Sequence, residues 1–207
     1  MTSPEHPSTP GSSTSGRSGP GRPRDPNVDT AVMAATFELL AEVGFARLSI
    51  TAVAQRAGVG KPAIYRRWRS KADMVVDLLD RAAHVSLRDP RTGSFRGDLV
   101  ALSRQTVELA RANGGRLQLA LAADLPFDDE LAAAYRQRFV AGRRRMVRTI
   151  VDRAIDRGEI RADTDPDLVS DVAIGVIQHR LSVTGAPVDD GVAERIAALV
   201  VDGVTQR

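Results

Sequence analysis

Apolar stripes at helical spacing alternate along this chain with short breaks built from Gly, Pro, Asp and Ser. Val28, Ala31, Val32, Ala35, Leu39 and Val43 recur every three or four residues, the signature of one buried helix face. Asp25-Pro26 supplies a start and Gly44 a stop, predicting a helix over about 27–43. Ser49 is placed to cap a short helix, 50–57, ended by Gly58. Pro62 sits where a first-turn proline belongs, so a third helix is expected over about 61–67. Ser70-Lys71-Ala72-Asp73 fits a capping box with Asp in the Glu position and opens a helix of about 71–87. After a break at 90–94, Leu99, Leu102, Thr106 and Leu109 carry a fifth helix, and 117–123 a short sixth. A long seventh helix is predicted over 128–157, with Leu131, Tyr135, Phe139, Met146, Ile150 and Ala154 inward. Asp165-Pro166 opens an eighth to about 183, and Asp189-Asp190 a ninth to about 204. No alternating strand pattern and no internal repeat occurs, so the expected fold is all-α.

Composition narrows the chemistry. Of 207 residues 43% are hydrophobic and 27% charged, a globular balance, but only 4% are aromatic. The core must therefore be built from Ala, Leu, Val and Ile. The absence of Cys removes disulfides, cysteine-ligated metals and thiol nucleophiles. The three histidines, His6, His84 and His179, lie far apart, a poor stock for a metal site or a Ser/His/Asp triad. No cofactor and no enzymatic activity are expected. No apolar run approaches the roughly 20 residues of a membrane helix, and the N-terminus lacks the apolar core of a secretory signal. A cytoplasmic protein without a membrane partner is the expectation. Nineteen of the first 26 residues are Ser, Thr, Gly or Pro, so residues 1–26 are expected to be a disordered arm. It ends in the basic series Gly21-Arg22-Pro23-Arg24.

The net charge of +3 is unevenly placed. Within residues 43–72 stand seven basic side chains (Arg47, Arg56, Lys61, Arg66, Arg67, Arg69 and Lys71) and no acidic one. That excess suggests a polyanion partner, with a solvated basic face as the alternative. The same window holds two short helices joined through Ala57-Gly58-Val59-Gly60, the layout of a helix-turn-helix. Ala54, Val59 and Ile64 can pack the two together, leaving Thr51, Lys61, Ala63, Arg66 and Arg67 outward. A generic helical hairpin has the same spacing. Gly58-Val59-Gly60-Lys61 is no phosphate loop, because Gln55 and Pro62 stand where Gly and Ser/Thr are needed. Arg143-Arg144-Arg145 is read as a solvated face, Trp68 as core, and His179 as a structural histidine.

Residues about 27–80 resemble the DNA-binding domain of the TetR (tetracycline-repressor-like) family of bacterial transcription regulators. The resemblance rests on Ala35, Glu42-Val43-Gly44, Ser49, Val53-Ala54, Ala57-Gly58-Val59, Ala63-Ile64-Tyr65, Trp68 and Ser70-Lys71. It implies about nine helices, with a DNA-binding domain at 27–70 and a helical effector-binding and dimerisation domain at 71–207. It implies a homodimer on a palindromic double-stranded operator, most simply a repressor released by a small and lipophilic effector. Lys61 and Ala63 then fall where the family reads bases, Tyr65 and Lys71 where it grips phosphate, and Ser49, Thr51, Arg66 and Arg67 within reach of DNA. Tyr65 as a packed aromatic is the competing reading. Arg22 and Arg24 resemble a minor-groove hook, or are incidental to a tail. An effector pocket is expected from Leu102, Thr106, Leu109, Leu121, Phe127, Tyr135, Phe139, Met146 and Gln178. A dimer face is expected from Val172, Val176, Ile177, Leu181, Ile196, Leu199 and Val200. The sequence departs from the family at Ile50, where Thr is frequent. Two other function classes stay open: an architectural DNA binder without an effector, and an all-helical enzyme.

Overall fold

The computed structural model describes residues 26–205, and the expected arm with Arg22 and Arg24 lies outside them. Every element among the described residues is helical: α1 (Pro26–Arg47), α2 (Ile50–Arg56), α3 (Lys61–Tyr65), α4 (Lys71–Ser86), α5 (Phe95–Arg111), α6 (Asn113–Ala122), α7 (Asp129–Tyr135), α8 (Ala141–Asp156), α9 (Pro166–His179) and α10 (Asp190–Val204). A π turn, Arg136–Val140, joins α7 to α8 without a break, so these form one rod and the rods number nine among the described residues. A second π turn, Arg180–Thr184, extends α9 until Gly185 ends it in the left-handed region. Thus the predicted long helix is continuous but carries an extra residue in its hydrogen-bond ladder.

Caps account for the boundaries. The Ser49 hydroxyl accepts from the Ala52 amide at 3.1 Å. The Ser70 hydroxyl accepts from the Asp73 amide, and the Asp73 carboxylate accepts from the Arg69 amide at 3.0 Å, a capping box shifted by one residue on its return bond. Asp128, Asp165 and Asp189 cap α7, α9 and α10 in the same way. Gly44 stops the first helical run of α1, where the sequence places the stop. It turns the backbone at φ 74°, and a short helical stretch resumes to Arg47.

Three packed clusters hold the chain. In the first, α1, α2, α3 and α4 share a core with α6 and α7 through Val32, Leu40, Phe45, Ile64, Met74 and Leu121. The second joins α5, α8, α9 and α10 around Leu99, Ile150 and Ala197. The third seats Val107 of α5 against Ile177 of α9 and Ile196 of α10. Each fully buried Leu, Ile or Val contributes about 1.5–3 kcal/mol from apolar area alone. Helix α4 packs on α1, α5, α6, α7 and the π turn, so it links the N-terminal helices to the rest.

Candidate functional site

The N-terminal helices present a surface shaped by one turn. Gly58 adopts φ 67°, a left-handed conformation that costs an L side chain free energy. The turn closes when the Val59 amide donates to the Ala54 carbonyl at 3.0 Å. Ile64 and Val53, both sealed from solvent, lock α3 to α2. What remains outward is Thr51 on α2, Lys61 and Tyr65 on α3, and Arg66 just beyond, with Ala63 half-buried between them. Tyr65 is 56% exposed, so a phenol stands in solvent beside two cations, against the packed-aromatic reading.

The basic window is less uniform than its sequence. Arg56 forms bonds of 2.9 and 3.0 Å to Glu42 and one of 3.2 Å to Glu38, all across to α1. Those bonds raise the Arg56 guanidinium further and hold the Glu42 carboxyl below its usual range. Arg67 turns inward, its side chain 9% exposed, and its Nε donates to the Asp29 carboxylate of α1. This corrects the expectation that Arg67 faces DNA: one position past Arg66, the chain direction after α3 drives it onto α1. Lys71 also points back, its Nζ donating to the Phe45 carbonyl at 2.9 Å and lying 4.1 Å from the Phe45 ring centre. Ser49 spends its hydroxyl on the α2 cap. Lys61, Arg66 and Arg69 form no ion pair with any described residue. Arg69 is exposed beside Arg66 and was absent from the expected DNA contacts, although it stands in the same basic run.

Behind this surface lies a polar bridge. Trp68 is buried, and its indole N–H donates to Asp77 of α4 at 2.9 Å. Arg138, in the π turn, donates to Asp73 at 2.7 Å and to Asp77 at 2.6 Å. Burial pushes the Asp77 carboxyl up, but hydrogen bonds from Trp68, Arg81 and Arg138 outweigh it and hold the group below its ordinary value. One carboxylate thus ties the segment after α3 to the rod α7–α8.

Arg138 also lines a cleft of about 400 Å³ between α4 and α8, with Ala83, His84, Phe139, Arg143 and Met146 on its walls. Phe139 and Met146 were expected here. Leu102 and Thr106 instead border a narrow crevice on the other side of Arg143. Tyr135 stacks obliquely on Phe139, ring centres 5.2 Å apart. Leu109 and Leu121 are packed into the first core cluster, and Gln178 is half-buried on α9. Phe127 is 88% exposed, which overturns its place in the pocket: it sits in the turn before α7. Arg143 overturns the solvated-face reading of 143–145. It is buried against Phe139, whereas Arg144 pairs with Asp167 and Asp171 of α9.

The expected dimer face divides. Ile177, Ile196 and Val200 are buried within the protomer's own core, so they are not available to a partner as they stand. Val172 and Leu199 are exposed, with Leu168 beside them, while Val176 and Leu181 are half-buried.

Comparison with known proteins decides the family. Residues 32–78 match the pattern described as "Bacterial regulatory proteins, tetR family", and residues 89–200 match "Tetracyclin repressor-like, C-terminal domain". The chain belongs to the TetR family. YdeS, an HTH-type transcriptional regulator of Bacillus subtilis, is 32% identical over 89% of this chain and 93% of its own length. The DNA-binding transcriptional repressor TetR of Mycobacteroides abscessus is 33% identical over 80% of this chain and 87% of its own. The crystal structure of the TetR-family regulator SCO0332 superposes with a TM-score of 0.70 and 34% identity, covering 87% of this chain and all of that one. The protein is therefore a TetR-family transcriptional regulator with a DNA-binding helix-turn-helix, α2 and α3. Among the described residues no helix is long and apolar enough to cross a membrane.

Proposed function

We propose that this chain is a ligand-responsive repressor that binds a palindromic operator as a homodimer in the cytoplasm. A small molecule entering the cleft between α4 and α8 releases it. Residues about 27–70 serve as the reading unit and 71–207 as the effector and dimerisation unit. The observation that carries this reading is the bridge Trp68–Asp77–Arg138, which joins the outward surface of α3 to the cleft wall. A repressor among the relatives supports the sign of regulation.

In this mechanism Lys61 donates to guanine in the major groove and Ala63 meets a thymine methyl. Tyr65, Arg66 and Arg69 bind phosphates, which position without specifying. Val172, Leu168 and Leu199 begin the apolar patch that a second copy covers. The dimer sets the two recognition helices about 34–36 Å apart, one DNA turn. A ligand beside Arg138 competes for its hold on Asp73 and Asp77, moves α4, and carries Trp68 and α3 with it. The ligand shifts the balance only by its preference for the non-binding form.

Selection of duplexes from a random pool with the purified full chain tests the reading. Enrichment of one palindrome, bound at least about 10³-fold more tightly than unrelated DNA, is expected. Near-equal affinity for all sequences would instead mark an architectural binder. Release of that operator by some member of a mixed neutral, cationic and anionic compound set tests the induction step.

A further inference from the structure

Arg143 is a buried positive charge without a counter-charge among the described residues. It is 9% exposed, and its Nε and Nη2 have no hydrogen-bond partner among the described residues. The Phe139 ring lies 4.7 Å from the guanidinium carbon and favours the cation, but it leaves that N–H edge unanswered. Burial pushes the guanidinium down from its usual range, yet an arginine in a protein keeps its proton. The groups around it offer no anion. Tyr135 is neutral, because burial pushes its phenol up, with the charge of Arg143 and a hydrogen bond from Gln118 opposing. The Thr106 hydroxyl on the crevice side donates to the Leu102 carbonyl at 2.9 Å. Asp80 on the cleft wall lies 3.4 Å from His84 and 3.9 Å from Arg138, which hold it. Buried charges in proteins are paired as a rule, and here no described residue supplies a partner.

The geometry says what the partner is. Nε and Nη2 form one edge of the guanidinium, two parallel N–H groups at the spacing of two carboxylate oxygens. Arg143 separates the cleft of about 400 Å³, whose apolar walls are Ala83, Leu87, Phe139 and Met146, from the crevice of about 10 Å³ under Leu99, Leu102, Val147 and Val169. We propose that the effector is an acid with an apolar body that lies along the apolar wall of the cleft, and that its carboxylate, or an equivalent planar oxyanion, docks on the unanswered edge of Arg143, which is closed to solvent in the ligand-free chain and swings toward the cleft to meet it. This rests on the induction reading above and narrows it: the purely lipophilic ligand expected from sequence gives way to an amphipathic acid.

Octanoate, 2-naphthoate and salicylate serve as probes, each beside its primary amide, with binding to the full chain followed by calorimetry. At least one acid is expected to bind about tenfold or more tightly than its amide. Arg143→Met should abolish that preference and Arg143→Lys retain part of it. The ligand-free Arg143→Met protein should also melt higher than the wild type, since an unpaired buried charge is removed. A merely structural arginine would make it melt lower. Amides binding as tightly as acids, no acid binding at all, or an acid preference that survives Arg143→Met would overturn the inference. Operator release by a neutral compound, undiminished in Arg143→Met, would overturn it and leave induction standing. An acid that docks at Arg143 without moving operator affinity would leave the acid-binding site standing but overturn its role as the effector site and, with it, the induction reading.

Discussion

The chain carries two arginine-rich runs, Arg66-Arg67-Trp68-Arg69 and Arg143-Arg144-Arg145, and the fold treats them differently. In the first, Arg66 and Arg69 stay in solvent and Arg67 is drawn onto Asp29 of α1. In the second, Arg143 is buried without a carboxylate, Arg144 pairs with α9, and Arg145 is exposed. In the helical second run successive residues point about 100° apart, and in the first the turn after α3 sends them different ways, so neighbours in a charged run meet separate surroundings. Local charge density therefore describes a segment's composition and not its surface. A polyanion as large as DNA can use the first run because it sits at an outer edge. A small anion alone can use the second.

That contrast can be broken most severely at Arg67. Arg67→Ala leaves Asp29 of α1 with only the 4.0 Å contact to Arg81 among the described residues and should destabilise the fold by roughly 1–2 kcal/mol, read as a lower chemical-denaturation midpoint. The dependence of operator affinity on salt should stay as in the wild type, because Arg67 is turned inward onto Asp29. A fall in that slope by about one would restore Arg67 to the DNA surface. Next comes Lys61→Ala, expected to cost about 1–3 kcal/mol of operator binding at a base-reading position, with an unchanged melting temperature. Equal weakening on every DNA sequence would reassign Lys61 to phosphate. Arg66→Ala should weaken all duplexes alike and lower the salt slope by about one.

A fourth prediction concerns Asp77. Its carboxyl is held below the ordinary value in the folded protein, so it contributes stability above the unfolded pKa that is lost as the pH falls through the folded one. Both values lie near or below pH 4. The gap in melting temperature between wild type and Asp77→Asn should therefore be constant near neutral pH and shrink below about pH 4. A gap that holds to pH 3 would mean that folding leaves the Asp77 carboxyl unshifted. Arg144→Ala is the smallest effect: its pairs with Asp167 and Asp171 are exposed, and no change in melting temperature is expected.

Much of this was legible in the residues. Caps and breakers are local, so Ser49, Ser70, Asp128, Asp165 and Asp189 mark helix starts within a residue or two. The turn at Gly58 and the packing of Ala54, Val59 and Ile64 in one core cluster follow from spacing alone. The long-range pairings were not legible: Glu38, Glu42 and Asp29 reach the basic window from 14 to 38 residues away. The Arg143 site had a signal that charge obscured. The inward stripe Leu131, Tyr135, Phe139, Met146, Ile150 and Ala154 leaves a gap four residues after Phe139, and Arg143 occupies it. A cation on an apolar stripe invites the question of what neutralises it. Phe127 fails as a pocket residue for the opposite reason: it is an aromatic in the turn before a helix cap, and no apolar stripe turns it inward.

The π turn at Arg136–Val140 has a geometric consequence. In a regular helix, side chains five residues apart diverge by about 140°, so Arg138 and Arg143 would look in different directions. The wider turn slows the rotation, and both arginines border the same cleft. The extra residue works as a phase shifter inserted into an otherwise ordinary rod. Deleting one residue from 136–140 would leave the helix intact while dialling everything after it around the axis, separating the arginine that grips α4 from the one that waits for an acid.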